Sequence, residues 1–266
     1  MSIKKVFVIL PVYNEEQSLP TLIPRILKTM QSSQYPYLIV ACDDGSRDHT
    51  SQLFNELSKN MNLHMITHKY NRGLGETVRD LMEYAASIAD DSDVIVRMDC
   101  DDTHGPEFIP FMIKKIEEGY DVVIASRFQS GGGQKGVNAY RAFISYAANC
   151  FMKVFFPIKG IREYSCGYRA YSALIIKKAV KFYGNDFIQL KGLGFTCTLE
   201  KLIKLNLLGA RMTEVAFELR YDQKRSESKM VSSITTLGYI IMAVLYHWPW
   251  GGWRRYYNHK IKQLFG

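Results

Sequence analysis

The feature that most constrains this chain is the alternation, over its first 125 residues, of short apolar runs with helix-length amphipathic stretches. The runs at 6–10, 37–42, 63–67, 94–98 and 122–125 are rich in Val, Ile and Leu and show little in–out alternation. Strands covered on both faces read this way. Between them, the stretches at 18–30, 50–60, 75–89 and 106–118 are long enough for crossover helices. Repeated βα units on a mostly parallel sheet follow, an α/β fold with helices on both faces. Such a sheet takes its ligands outside the carboxyl ends of its strands, so the segments just after each run are the ones to search.

Beyond residue 125 the pattern loosens. Gly131, Gly132 and Gly133 mark a loop, 139–155 reads as an apolar helix, and a turn with Pro157 and Gly160 leads into 169–175. A helix is expected around 194–205, a strand within 211–221 and a polar loop at 222–229. Residues 230–253 then run without Asp, Glu, Lys or Arg, and Arg254 and Arg255 follow. The densely apolar part, 237–248, is short for a bilayer span, which needs roughly 20 apolar residues. Three readings stay open for it: a helix lying in a membrane interface, a buried core helix, and a span. Aromatic anchors (Trp248, Trp250 and Trp253) followed by basic residues suit the first.

Charge placement sharpens this division. The net charge is +8, and +6 of it lies in residues 220–266. A basic terminal segment points to an anionic membrane surface or another anionic partner. Nucleic acid is disfavoured because the basic residues follow an apolar, Trp-rich segment instead of interleaving with stacking aromatics. Five scattered cysteines, odd in number and never spaced CxxC, argue against a disulfide scaffold and a structural zinc site. The apolar run after Lys4 and Lys5 breaks at Pro11, too early for a signal peptide. The expectation is a cytoplasmic protein, peripheral on the cytoplasmic face of a membrane.

Three of the first strands run into loops that carry carboxylates: Glu15 and Glu16 after Asn14; Asp43 and Asp44, followed by Asp48; and Asp99, Asp101 and Asp102. Carboxylates gathered at one sheet edge repel and are best tolerated around a hard divalent cation. Helix capping by Ser46, Asp48 or Thr50 accounts for one polar residue per loop, not for the doubled acids. In Asp99-Cys100-Asp101, a DxD at the end of a buried strand, carboxylates reach the rim where Mg²⁺ or Mn²⁺ could bridge to substrate phosphates. The histidines His64, His68, His247 and His259 are isolated and read as satisfied structural residues.

Together, Pro11-Val12-Tyr13-Asn14-Glu15-Glu16, the Asp43-Asp44-Gly45-Ser46-x-Asp48-x-Thr50 stretch, Asn71-Arg72-Gly73-x-Gly75 and the DxD loop resemble the family-two inverting glycosyltransferases. Ala125-Ser126-Arg127, the stretch from Glu163 to Arg169, and Arg225-x-x-Ser228-Lys229 look like its polyprenyl-phosphate branch, typified by dolichol-phosphate mannose synthase. The resemblance implies the A-type glycosyltransferase fold, a nucleotide-sugar donor such as GDP-mannose or a UDP-hexose, and a divalent metal, Mg²⁺ or Mn²⁺. It implies nucleotide contacts from Pro11, Tyr13, Glu15, Asp44, Asp99, Cys100 and Asp101, with Asp99 and Asp101 holding the metal. Arg127, Ser165 and Arg169 fall where the family holds the acceptor phosphate, and Arg225 and Lys229 match a basic loop over the diphosphate. Thr103 stands where the pattern usually has Gln, Gly105 where it has Pro, and Glu163 and Cys166 also depart from it.

The expected organisation is a catalytic unit over 1–229, with a nucleotide half (1–125) and an acceptor half (126–229), then a membrane-association segment over 230–266. The expected reaction is inverting transfer of one hexose to a polyprenyl phosphate. A phosphate acceptor is already an anion and needs cations, whereas a glycan hydroxyl needs a base. Transfer to such a hydroxyl is the alternative within the enzyme class. A non-catalytic membrane- or nucleic-acid-binding module is the alternative outside it.

Overall fold

The computed structural model describes residues 3–59, 61–226, 229 and 232–265. Each apolar run becomes a strand close to its expected bounds: β1 (Val6–Val12), β2 (Tyr37–Asp43), β3 (Leu63–Thr67), β4 (Val94–Arg97) and β5 (Val122–Ser126). The amphipathic stretches become α1 (Leu19–Ser33), α2 (Thr50–Ser58), α3 (Leu74–Ile88) and, after a 3₁₀ turn at Pro106–Phe108, α4 (Ile109–Glu117). Every residue of β1 is buried, and successive residues serve opposite layers. Val6, Val8, Leu10 and Val12 face the cluster formed with α1, α2 and α4, while Phe7 and Ile9 face α3. A strand with helices on both sides cannot alternate in polarity, hence the unbroken apolar run.

The second half contributes β6 (Gly133–Lys135), α5 (Ala139–Phe155), β7 (Arg169–Ser172), α6 (Ala173–Tyr183), α7 (Thr196–Leu207), β8 (Met212–Ala216) and β9 (Glu218–Arg220). Two helices close the chain, α8 (Ser232–His247) and α9 (Gly252–Phe265). Among the described residues the main sheet has the order β3-β2-β1-β4-β7-β5-β8. All its pairings are parallel except those of β7, which lies antiparallel between β4 and β5 and sets Arg97 opposite Arg169. The loop expected at 131–133 instead runs into β6, which pairs with β9. The expected 211–221 strand divides into β8 and β9, and α6 and α9 had no counterpart in the sequence reading.

α7 is buried along its length although it carries Glu200, Lys201 and Lys204. Lys204 Nζ lies 2.5 Å from Glu200 Oε1 and 4.5 Å from the Trp253 ring, with Tyr183 and Tyr257 also beside it. The Glu200 carboxylate also accepts the Gln189 and Leu190 backbone N–H groups, at 2.8 and 3.0 Å. This caged pair joins α9 to the body of the fold. Replacing Lys204 by Met leaves a buried, unpaired carboxylate, which costs roughly 3–5 kcal/mol. Equilibrium urea unfolding should show that loss for Lys204→Met and recover most of it in the double variant Glu200→Gln/Lys204→Met.

Candidate active site

The loops after β1 and β2 are stitched together by their own motif residues. Asn14 N–H donates to Ser46 Oγ at 2.9 Å, Glu15 N–H to Thr50 Oγ1 at 2.8 Å, and Arg47 N–H to Asn14 Oδ1 at 2.8 Å. Ser46 and Thr50 therefore hold the neighbouring loop, and only Asp48, accepting from Thr50 N–H at 3.0 Å, serves the start of α2. The buried Asp44 carboxylate accepts His68 Nδ1 at 2.7 Å and the N–H groups of Arg72 and Gly73 at 2.9 and 2.8 Å. His68 lies between Asp44 and Asp80, 3.0 Å from the latter, so this histidine is part of the site's framework. Of about four acceptor directions on Asp44, three are taken and one is left for a ligand.

The third loop carries the DxD. Asp99 is reached by Arg97 Nη2 at 2.5 Å, and His104 Nε2 lies 3.5 Å from its other oxygen. His104 Nδ1 accepts the Asp99 N–H at 2.9 Å. Burial holds this imidazole below its usual pKa, so the ring is neutral and braces the loop. Asp101 Oδ1 accepts the Thr103 hydroxyl at 2.6 Å, and its Oδ2 meets the Lys224 ammonium. Burial opposes ionisation of Asp101 more than any single neighbour favours it, but the Lys224 charge and the hydrogen bonds from Lys224 and Thr103, acting together with the His104 ring, lower the pKa. Thr103, which replaces the family's usual Gln, thus orients Asp101. Arg220 N–H donates to Thr103 O at 3.1 Å, so β9 clamps the same loop.

The basic loop expected over the diphosphate lies against these acids. Lys229 Nζ contacts Glu15 and donates to Asn14 O at 2.9 Å, and Ser226 Oγ donates to Glu15 at 3.3 Å. Burial nevertheless raises the Glu15 pKa, with Lys229 opposing it. Arg225 is exposed nearby, and Ser228 of the same motif lies outside the described residues. Lys224, which sequence reasoning did not single out, makes the contact to Asp101.

Arg127 forms a fork on Glu163, with Nε to Oε2 at 2.7 Å and Nη2 to Oε1 at 2.9 Å. Its Nη2 also reaches Ser165 Oγ at 2.7 Å, whereas among the described residues Nη1 has only the Ser145 hydroxyl at 3.3 Å. Glu163 is fully buried and also accepts the N–H groups of Ser165 and Cys166, each at 3.0 Å. Burial raises its pKa, but Arg127 and these donors overcome that and hold the carboxyl ionised.

Three expected contacts are corrected by placement. Arg169 is fully buried, and its Nη1 and Nη2 donate to Thr198 O and Tyr164 O, each at 2.7 Å, so its forked end is spent on backbone instead of an acceptor phosphate. Cys100 packs into the core, where burial pushes its thiol pKa up, so its side chain is not offered to a nucleotide. Pro11 is an interior residue of β1 paired with Cys42 and offers no side-chain surface to a nucleotide.

Sequence reasoning also missed a buried cationic group beneath the DxD. Arg97 ends an otherwise apolar strand, and that lone charge was the available signal. It fits because residue 167 is glycine: a Cβ there would stand 1.5 Å from Arg97 Nη1. Lys201 is buried with it, and burial, aided by Arg97 and Arg169, pushes its pKa down to about 7.

Comparison with known proteins bears on this geometry. Residues 7–179 match the model of the family described as glycosyl transferase family 2. The chain belongs to that family. Among glycosyl transferase family 2 relatives, it is 33% identical over 227 residues to the dolichol-phosphate mannosyltransferase of Pyrococcus furiosus, covering 85% of this chain and 59% of that protein. It is 30% identical over 209 residues to the undecaprenyl-phosphate 4-deoxy-4-formamido-L-arabinose transferase of Pectobacterium atrosepticum, covering 78% and 60%. The chain thus spans about three fifths of the length of these relatives. Its fold is that of glucosyl-3-phosphoglycerate synthase from Mycobacterium tuberculosis, solved with Mn²⁺, uridine diphosphate and phosphoglyceric acid. That match has a TM-score of 0.61 at 16% identity over 91% of this chain and 78% of the other.

The buried lysine makes stability pH-dependent in a defined direction. Unfolded, Lys201 keeps its proton to about 10.5, and folded it releases it near 7. Between these values the unfolded state holds more protons, so this residue's contribution to wild-type stability rises with pH. Lys201→Met should therefore be more stable than wild type by on the order of 1–4 kcal/mol near pH 7. The gap should close towards pH 10, as measured by denaturant unfolding across that range. A gap that widens instead would exclude a suppressed Lys201 charge.

Proposed function

We propose that this glycosyltransferase moves a single sugar, with inversion, from a nucleotide sugar to a polyprenyl phosphate at a membrane surface. The observation that carries the reading is the Arg127–Glu163–Ser165 cluster. It offers a cation with an incompletely used edge, Nη1, and a carboxylate whose oxygens are already engaged by four groups. An acceptor hydroxyl would need a base, and Glu163 is ion-paired and buried, unfit to take a proton. A phosphate acceptor brings its own negative oxygen and needs only to be held. The names of the two relatives support the same choice.

The donor end follows the same electrostatic logic. Asp99 and Asp101 fit a hard divalent cation: their donors are carboxylate oxygens, and a cation, the Lys224 ammonium, already rests on Asp101. Among the described residues no three ligating side chains gather into a ready cage, as suits a metal that takes its remaining ligands from phosphates and water. Mg²⁺ or Mn²⁺ bound there would stabilise charge on the departing diphosphate. Lys224, Arg225 and Lys229 would share that task, and the open direction on Asp44 and the Tyr13–Glu15 loop would receive the nucleoside.

In this reading residues 1–229 are the catalytic unit and 230–266 hold it to the cytoplasmic face of a membrane. α8 supports that assignment. It packs inward through Gly238, Tyr239, Met242, Ala243 and Tyr246 and leaves Ile234, Leu237, Ile240 and Val244 exposed. Among the described residues no helix is long and apolar enough to cross a membrane.

Two variants test the assignment. Asp101→Asn should fold normally and lose at least about a hundredfold in transfer, read by mass spectrometry of the lipid product. Arg127→Lys keeps the charge beside Glu163 but loses the fork. It should raise KM for a short polyprenyl phosphate roughly tenfold while leaving nucleotide-sugar affinity, measured by calorimetry, unchanged. An unchanged acceptor KM, or efficient transfer to a free hydroxyl, would favour the glycan-acceptor alternative.

A further inference from the structure

α8 and α9 meet in a tight hairpin at residues 248–252. Gly252 has φ 45°, and a Cβ on it would lie 2.1 Å from Leu245 O, so the chain can double back here only through glycine. Tyr257 is buried, and Trp253 and Ile261 pack against the core beside it, which fixes the rotation of α9. The opposite face is thereby fixed too. Arg254, Arg255, Asn258, His259 and Lys262 line, with His247 at the end of α8, an open surface cleft of about 430 Å³. His247 Nε2 is tied to Phe155 O at 2.7 Å, which sets that wall of the cleft.

Among the described residues no carboxylate compensates the charge in this cleft. Residues 230–266 contain no Asp or Glu, and among the described residues Arg254, Arg255 and Lys262 have no carboxylate partner. Three cations held within three turns of one helix repel unless an anion sits among them. The rim has a second chemistry: Trp248 and Trp250 are 69% and 82% exposed at the turn, next to the exposed apolar side of α8. Exposed indoles beside basic residues match the boundary between headgroups and acyl chains.

We propose that the α8–α9 cleft is a binding site for the phosphate headgroup of an anionic phospholipid, with Trp248 and Trp250 entering the bilayer beside it. The proposal rests on the membrane reading above and makes it specific. The phosphate sits in a cleft built by one hairpin, and the attraction is not spread over the whole basic surface. The indole rim is what favours a lipid over a free phosphate, which would have no use for it.

The test uses the full chain with phosphatidylcholine vesicles, with and without phosphatidylglycerol, and with soluble glycerol phosphate. Binding is read by co-sedimentation and tryptophan fluorescence. The variant Arg254→Gln/Arg255→Gln/Lys262→Gln is compared with Lys28→Gln/Lys59→Gln/Lys114→Gln, which removes the same charge from exposed positions on or beside α1, α2 and α4. The cleft variant should melt normally and lose roughly a hundredfold in partition onto phosphatidylglycerol vesicles, while the control stays within about threefold of wild type. Equal losses in both variants, or no loss in the cleft variant, would overturn the site while leaving membrane binding standing. Glycerol phosphate bound as tightly as the vesicles would overturn the lipid assignment. Wild-type protein that binds neither vesicle would overturn the membrane reading itself, and this proposal with it.

Discussion

Everything at the working edge of this protein depends on the pairing of acids with cations, most of which arrive from distant parts of the chain. Carboxylates crowded at strand ends repel one another and resist burial. Asp99 is answered by Arg97 from its own strand, Asp102 by Arg25 from α1 at 2.6 Å, Glu163 by Arg127, and Asp101 and Glu15 by Lys224 and Lys229. The last two come from beyond residue 220, so the acidic half and the basic loop need each other. A ligand that replaces those lysines on the acids must itself bring positive charge to them.

The supports behind these pairs are mostly uncharged or neutral. Thr103 turns Asp101, neutral His104 braces the backbone of Asp99, and the hydroxyls of Ser46 and Thr50 lock the first two loops together. Tyr168 completes the framework: its ring stacks on His104 at 5.0 Å, and its hydroxyl donates to Gly105 O at 2.9 Å. The loops that carry the carboxylates are therefore held in place by neutral groups, separately from the cations that balance their charge.

Much of this was legible in the sequence because it is local. An apolar run ending in acids gives both the strand and the rim, and the first nine elements follow from that period. What escaped depends on neighbours remote in the chain. Glu200 and Lys204 have the i, i+4 spacing of an exposed helical ion pair, a spacing that cannot show that α9 folds over them and that the helix is buried all round. Arg169 matches an acceptor-site pattern, but β7 runs into the middle of the sheet and turns its guanidinium towards backbone carbonyls. β6 and β9 are three-residue strands paired across more than 80 residues, too short to carry a period.

The position of β7 also bears on how the chain reaches its native state. Among the described residues β5 has only β7 and β8 as strand neighbours, and both are made later, at residues 169–172 and 212–216. While the chain is being synthesised, β1 to β4 can pair among themselves, but β5 and the inner edge of β4 stay open until β7 arrives. Open apolar edges of this kind slow folding and invite association between incomplete chains. The insertion that brings Tyr168 and Arg169 under the site thus leaves these strand edges of the nascent chain exposed for the length of α5.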